Sequence, residues 1–157
     1  MAGRDGAALH SSTMLTRREW LRASVALLVS KRFFASVPIT VYKTPSCGCC
    51  KKWVQHLEAN GFAVTVHDMD NLDEVKRTMG VPDALQSCHT GLVGRYVIEG
   101  HVPADLVHKL LAEKPSILGL AVPGMPSGSP GMEGARKDRY NVIAFDRGGK
   151  TKLYASR

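Results

Sequence analysis

Three cysteines lie close together between a predicted strand and a predicted helix in this chain of 157 residues, and they limit the folds and functions open to it. The β-branched and aromatic residues 37–42 predict the strand, and apolar residues three and four positions apart in residues 51–60 predict the helix. Cys47, Cys49 and Cys50 lie in the loop that joins them. Free N–H groups at a helix N-terminus stabilise a thiolate, which is both the nucleophile of disulfide exchange and a metal ligand. The position therefore favours thiol chemistry or metal binding.

The rest of the chain alternates short strands and helices. Further strands are predicted at residues 62–66, 92–93, 96–98, 140–145 and 151–154, an apolar segment at 118–122, and helices at 72–79 and 103–111. This order predicts an α/β fold, and a cysteine loop between the first strand and the first helix is typical of a thioredoxin-like fold. The Gly148-Gly149 turn before the last strand predicts a C-terminal β-hairpin extension.

The first 36 residues have the order of an export signal. A charged segment with the pair Arg17-Arg18 precedes an apolar stretch at 23–29 and then small residues, which resembles the twin-arginine signal of bacteria. The alternative interpretation is a surface amphipathic helix, because Lys31 and Arg32 interrupt the apolar stretch. We expect residues 1–36 to be an export signal that is removed or disordered, residues 37–157 to form one metal-binding domain, and the protein to reside in the bacterial periplasm.

Charge and composition exclude several classes of function. The net charge is +7, but more than half of it lies in the first 36 residues, and the later Lys and Arg are scattered. A nucleic-acid-binding face needs clustered positive charge, so we expect no nucleic-acid partner. No apolar run reaches the roughly 18 residues that a membrane-spanning helix needs, so we expect a soluble mature protein without a membrane span. No triad, carboxylate pair or Gly-rich phosphate loop supports hydrolase or nucleotide chemistry.

A second set of potential ligands follows much later in the chain. Cys88 and His89 precede the third predicted strand, where a thioredoxin-type fold places the loop that faces the first cysteine loop. Met125 and Met132 lie in a Gly- and Pro-rich loop that is poorly suited to a regular core element. Thiolate and thioether donors select Cu(I), whereas zinc makes little use of methionine. We therefore expect the four cysteines and His89 to converge on a copper site, with the two methionines as additional ligands.

Each of these residues also has a purely structural interpretation. Cys47 and Cys50 suit a stabilising disulfide in an oxidising compartment, and Cys88 suits a small buried hydrophobic position. His89 suits a hydrogen-bonding role, and the two loop methionines suit packing at the sheet edge. The other histidines of the predicted domain receive no metal role: they are His56 and His108, predicted as solvent-side or capping groups, and His67 and His101, which end strands.

Four segments of the sequence resemble a known family. They are residues 42–50 with the Cys-x-Cys-Cys motif, residues 87–90 with Cys-His, residues 96–104 and residues 121–126. They are similar to the CopG-like family of small bacterial periplasmic proteins, long catalogued as a domain of unknown function, over essentially all of residues 38–156. The resemblance implies a thioredoxin-like fold, copper held as Cu(I) by the cysteines, with a multinuclear thiolate cluster as one form, and a role in copper handling or copper-linked redox chemistry. The ligands it implies are Cys47, Cys49, Cys50 and Cys88, completed by His89 and a loop methionine.

The leading hypothesis is a periplasmic Cu(I)-binding protein of copper tolerance. Its partners would be copper ions and other periplasmic copper-handling proteins. Cys47 and Cys50 would also form the redox pair of a copper or thiol oxidoreductase, by interconverting dithiol and disulfide. The main alternative is a metal-independent thiol-disulfide oxidoreductase, with Cys47 as attacking thiolate and Cys50 as resolving thiol. A third interpretation is a structural Cys/His zinc site in an interaction module.

Overall fold

The computed structural model describes residues 36–157, and in this part of the chain seven strands form one mixed sheet. The strands are β1 (Val37–Lys43), β2 (Phe62–Asp68), β3 (His89–Val93), β4 (Tyr96–Gly100), β5 (Gly119–Val122), β6 (Asn141–Phe145) and β7 (Thr151–Ser156). The helices are α1 (Gly48–Ala59), α2 (Asp73–Thr78) and α3 (Ala104–Glu113), with a short 3-10 helix at Asp83–Leu85. Residues 1–35, which contain nearly all of the predicted export signal, lie outside the described residues.

The strand order makes β3 the link between β1 and β4. The order is β2-β1-β3-β4-β5-β6-β7. β1 runs parallel to β2 and antiparallel to β3, and β4 runs antiparallel to β3 and parallel to β5. β5, β6 and β7 follow in antiparallel pairs. The predicted α/β class is confirmed, and none of the described helices is long and apolar enough to cross a membrane.

Helical segments cover both faces of the sheet. Alternate residues of a strand point to opposite faces, and neighbouring residues of β4 show this directly. Ile98 belongs to the larger apolar cluster, which includes residues of α1 and α3. Val97 belongs to a smaller cluster with Val81 and Leu85, which come from the segment after α2. The sheet is therefore the middle layer of the described domain, with α1 and α3 together on one face.

The helix that carries the cysteines begins earlier than its apolar spacing predicts. The sequence predicts a loop up to Cys50 and a helix over residues 51–60, whereas α1 begins at Gly48. The sulfur of Cys47 accepts a hydrogen bond from the N–H of Cys50 at 3.3 Å and so caps the helix. Apolar spacing carries no information about a sulfur cap, so it places the boundary too late. Cys49 and Cys50 therefore lie in the first turn, where backbone N–H groups have no partner within the helix.

Two fully buried side chains anchor α1 to the sheet below the cysteine turn. The indole Nε1 of Trp53 donates a hydrogen bond to the Val102 carbonyl at 2.9 Å, and no part of the Trp53 residue is exposed. Leu57, one turn further along, is equally buried. The burial of these residues fixes the position of the helix and, with it, the positions of the cysteines in its first turn.

Replacing Leu57 with Ala should lower the free energy of unfolding by about 2–5 kcal/mol, because truncating a fully buried leucine leaves a cavity. Leu153→Ala is the matched control: Leu153 is 59% exposed, and its truncation should change stability by no more than about 0.5 kcal/mol. Urea unfolding followed by far-UV circular dichroism measures both variants. Equal losses of stability would contradict the packing of α1 described here.

Candidate metal centre

Four cysteine sulfurs from two distant segments converge at one end of the sheet. The Sγ atoms that lie within 4.8 Å of one another belong to Cys47, Cys49, Cys50 and Cys88. The pairing of β1 with β3 brings the two segments together, because Lys43 at the end of β1 pairs with His89 at the start of β3. Cys88 immediately precedes β3 and therefore lies beside the loop that leads from β1 into α1. The expected convergence of the four cysteines is observed.

Two of these cysteines are joined and two are free thiols. Cys47 and Cys50 form a disulfide, with their Cα atoms 5.3 Å apart. The free Cys49 sulfur lies 3.5 Å from the Cys47 sulfur and 3.9 Å from the Cys88 sulfur. The Cys49 sulfur is thus close to both the disulfide and the second free thiol, that of Cys88.

Burial determines the protonation of Cys88. Removal from water and, secondarily, the neighbouring Cys49 raise the pKa of Cys88 to about 12. At neutral pH this residue is therefore a thiol. A metal ion binds the deprotonated form, so an ion bound here would displace the proton.

Two buried imidazoles lie on the Cys88 side of the cluster. Nδ1 of His89 is 3.3 Å from the Cys88 sulfur, and Nε2 of His101 is 3.1 Å from it. Nδ1 of His101 lies 2.7 Å from the Pro130 carbonyl oxygen. Because a carbonyl only accepts hydrogen bonds, Nδ1 of His101 carries the proton and Nε2 presents its lone pair to Cys88. A backbone carbonyl commonly fixes the tautomer of metal-binding histidines in this way.

His89 has a buried ring nitrogen without a partner. Its side chain is fully buried, its ring centroid is 4.2 Å from that of Trp53, and its Nε2 has no hydrogen-bond partner among the described residues. Burial, reinforced by the nearby His101, lowers the pKa of His89 well below its usual value, and burial also lowers the pKa of His101. Both imidazoles are neutral at neutral pH, which is the form that ligates metal ions. The cysteine Cys88 and these two histidines form a second group of ligand atoms within 4.8 Å of one another.

The Gly- and Pro-rich loop brings one methionine to the cysteines. Sδ of Met125 lies 3.8 Å from the Cys49 sulfur, and Met125 is 52% exposed. Gly131 allows the close approach of the loop, because its φ is +91° and an added Cβ would lie 2.7 Å from the Cys49 carbonyl oxygen. Met132 is half-buried, its N–H bonds to the Ser129 carbonyl, and within residues 36–157 its thioether makes no hydrogen-bond-range contact with a cysteine sulfur. The structure therefore brings Met125 to the cluster and leaves Met132 apart from it.

His101 is the residue of this centre to which the sequence analysis assigned no metal role. β3 and β4 pair with Val93 opposite Tyr96 and Thr90 opposite Glu99. The same register, continued by two residues, places Cys88 opposite His101. A two-residue turn between the strands fixes a hairpin register. A two-residue turn predicted at residues 94–95 would therefore have been enough to place His101 opposite Cys88 from the sequence alone.

The remaining histidines of the described chain lie outside the centre. Nε2 of His56 accepts a hydrogen bond from the N–H of Ala104 at 3.1 Å, at the start of α3. Nε2 of His108 lies 2.8 Å from the carbonyl oxygen of Asn60, just beyond the end of α1. Both contacts are of the capping kind, which is one of the two roles predicted for these histidines. His67 instead stacks on Tyr42, with ring centroids 5.3 Å apart.

Comparisons with known proteins show which family the chain belongs to. Residues 85–132, which include Cys88, His89, His101 and Met125, match the family described as "Protein of unknown function, DUF411". Two solved structures, described as forms 1 and 2 of "Copper resistance protein copG", are each 47% identical to the chain, with a TM-score of 0.74. Each match covers 78% of this chain and 98% of the solved chain. No curated protein gives a significant match. At this identity over nearly the whole solved chain, the protein belongs to the family of the copper resistance protein CopG.

Proposed function

We propose that the protein binds Cu(I) through a thiolate-rich site and serves in copper tolerance. The observation that carries the proposal is the convergence of four cysteine sulfurs within 4.8 Å. Two neutral imidazoles and one thioether adjoin them. The description of the solved relative as a copper resistance protein supports copper as the ion. The proposed ligands are Cys47, Cys49, Cys50, Cys88, His89, His101 and Met125.

The number and the softness of the donors favour copper over zinc. A structural zinc is saturated by four ligands, most often Cys and His. Four cysteines, two histidines and the thioether of Met125 exceed that number, and a thioether is a soft donor that suits Cu(I). Thiolates that bridge several Cu(I) ions would account for the surplus of donors. Met132, which the sequence analysis predicts as a ligand, is not among the proposed ligands, because no contact with a cysteine sulfur supports it.

The same centre supports a copper-linked redox reaction. In the proposed step the reduced pair Cys47 and Cys50 gives up two electrons and two protons and forms the disulfide seen in the structure. Two Cu(II) ions each take one electron and become Cu(I). Cys49 and Cys88 stay outside the disulfide, and each would release its proton to bind the product Cu(I) as a thiolate. A dithiol reductant of the compartment would return the disulfide to the dithiol by exchange.

The proposal includes the thioredoxin-like fold and the periplasmic location. The order β2-β1-β3-β4, with β1 parallel to β2, and a Cys-x-x-Cys pair at the start of the helix after β1 support that fold. β6 and β7 would then be the C-terminal hairpin extension. The signal-like order of residues 1–36 supports export, and a disulfide suits an oxidising compartment.

A metal-independent thiol-disulfide oxidoreductase is the second candidate function. The disulfide at the N-terminus of α1 favours it, because a helix N-terminus lowers the pKa of an attacking thiol. That function leaves Cys49 and Cys88 unexplained, since exchange needs only two sulfurs. Both cysteines nevertheless have further donors close by, Met125 at Cys49 and the two imidazoles at Cys88.

Titration of the reduced protein with Cu(I) in the absence of oxygen should yield complexes with more than one copper ion per chain, because bridging thiolates let ions share ligands. Native mass spectrometry counts the ions, and a parallel titration with Zn(II) is the comparison. A single tightly bound zinc without tight copper would support the zinc site instead. No tight metal of either kind would support the exchange enzyme.

Cys49→Ser and Cys88→Ser should each abolish binding of more than one copper ion, because each removes a sulfur that lies between other donors. Both variants should still form the disulfide between Cys47 and Cys50, which peptide mapping after oxidation detects. Wild-type copper counts in both variants would rule out the thiolate cluster.

Met125→Leu should weaken Cu(I) binding several-fold, because it removes the thioether that lies 3.8 Å from the Cys49 sulfur. Met132→Leu is the matched control from the same loop and should bind copper as the wild type does. Competition with a chromophoric Cu(I) chelator measures both affinities. A loss of affinity in Met132→Leu but not in Met125→Leu would reverse the assignment.

A further inference from the structure

A lysine and a glutamate are buried together behind the cysteine and histidine cluster. Glu99 on β4 is fully buried, and Lys76 on α2 is 4% exposed. Nζ of Lys76 lies 2.5 Å from Oε1 of Glu99. A buried ion pair is not explained by stability alone, because replacing such a pair with apolar residues of similar size is often neutral or stabilising. The remaining contacts of Glu99 indicate a different role.

The Glu99 carboxylate bonds to the residues on both sides of Cys88 and His89. Oε1 accepts a hydrogen bond from the N–H of Ser87 at 2.6 Å. Oε2 accepts one from the hydroxyl of Thr90 at 2.7 Å. The dipeptide between these two attachment points supplies the sulfur and the imidazole of the centre.

Two further contacts connect this arrangement to its surroundings. Nζ of Lys76 also donates to the Thr90 hydroxyl oxygen at 3.0 Å, so Thr90 is bonded to both members of the ion pair. The Ser87 hydroxyl donates to the Gly124 carbonyl at 2.7 Å, next to Met125. This series of hydrogen bonds therefore extends from Glu99 through Ser87 to the loop that brings the thioether of Met125 to Cys49.

We propose that Glu99 is a positioning residue that holds Cys88 and His89 at the metal centre, through its hydrogen bonds to Ser87 and Thr90, with Lys76 as its counter-ion. The inference deepens the proposed copper function and rests on it for its biological role. The positions that it assigns to Cys88 and His89 do not depend on copper and can be tested without it. Glu99 keeps the Cys88 sulfur 3.9 Å from the Cys49 sulfur and 3.1 Å from Nε2 of His101.

Two double variants separate the hydrogen bonds of Glu99 from its charge. Lys76→Met with Glu99→Gln removes both charges but keeps an acceptor for the Ser87 N–H and an amide that donates to the Thr90 hydroxyl. Lys76→Met with Glu99→Leu also removes both charges, and it leaves Ser87 and Thr90 without their partner. The two variants have the same net charge and similar side-chain volumes, so they differ mainly in these hydrogen bonds.

The first measurement needs no copper. In a Cys47→Ser/Cys50→Ser background only Cys49 and Cys88 remain, and diamide oxidation followed by mass spectrometry gives the rate at which they form a disulfide. We expect the Gln variant to react at the rate of the background protein. We expect the Leu variant to form the disulfide at least about tenfold more slowly, because the reaction rate falls steeply when a reacting atom is displaced. Equal rates in both variants, or equal slowing in both, would overturn the proposal.

Thr90→Val in the same background keeps the test decisive if the Leu variant does not fold. It removes one of the two attachments and preserves side-chain shape, and circular dichroism verifies the fold. Slower disulfide formation in Thr90→Val supports the positioning role, and an unchanged rate overturns it.

The second measurement uses Cu(I) competition with all four cysteines present. The Leu variant should bind copper about 10- to 100-fold more weakly, as for loss of a group that orients a ligand, while the Gln variant stays near wild type. If the wild type binds no copper but the contrast in disulfide formation persists, the proposed function fails and the positioning role stands. If copper binding is tight and both variants match the wild type in both measurements, the function stands and the positioning role fails.

Discussion

The antiparallel pairing of β3 with both β1 and β4 is the constraint on which the candidate metal centre depends. Pairing with β1 brings Cys88 to the first turn of α1, across a separation of 39 residues from Cys49. Pairing with β4 brings His101 to the other side of Cys88. The paired strands thus bring together donors that are distant in the sequence: the cysteines at the start of α1, Cys88 and His89 at the start of β3, and His101 just after β4. The thioether of Met125 comes from the Gly- and Pro-rich loop.

Burial gives this centre a consistent electrostatic character. It raises the pKa of the Cys88 thiol and lowers the pKa of the His89 and His101 imidazoles, so these donors are uncharged at neutral pH. The pair Lys76 and Glu99 behind them adds no net charge. The environment of Cys88 therefore does not stabilise its free thiolate, and a soft monovalent cation would provide the missing positive charge.

The sequence was sufficient to predict the α/β class, most of the elements and the convergence of the cysteines, because β-branched runs and apolar spacing report directly on strands and helices. It placed the start of α1 too late, since the sulfur of Cys47 caps the helix. It assigned no metal role to His101, whose place depends on the hairpin register. It did not distinguish Met125 from Met132, because the course of the loop depends on its close approach to α1. Glu99 could not be identified, since strand patterns do not reveal which polar residues are buried.

In the proposed centre, sulfur atoms from both cysteine segments bind the same copper ions. Copper K-edge X-ray absorption on the reduced protein, loaded with Cu(I) without oxygen, examines these bonds themselves. We expect an edge typical of Cu(I), a nearest shell dominated by sulfur, and a second shell of neighbouring copper that disappears in Cys88→Ser. A nearest shell made only of nitrogen and oxygen, or a spectrum unaffected by that substitution, would contradict the proposed centre.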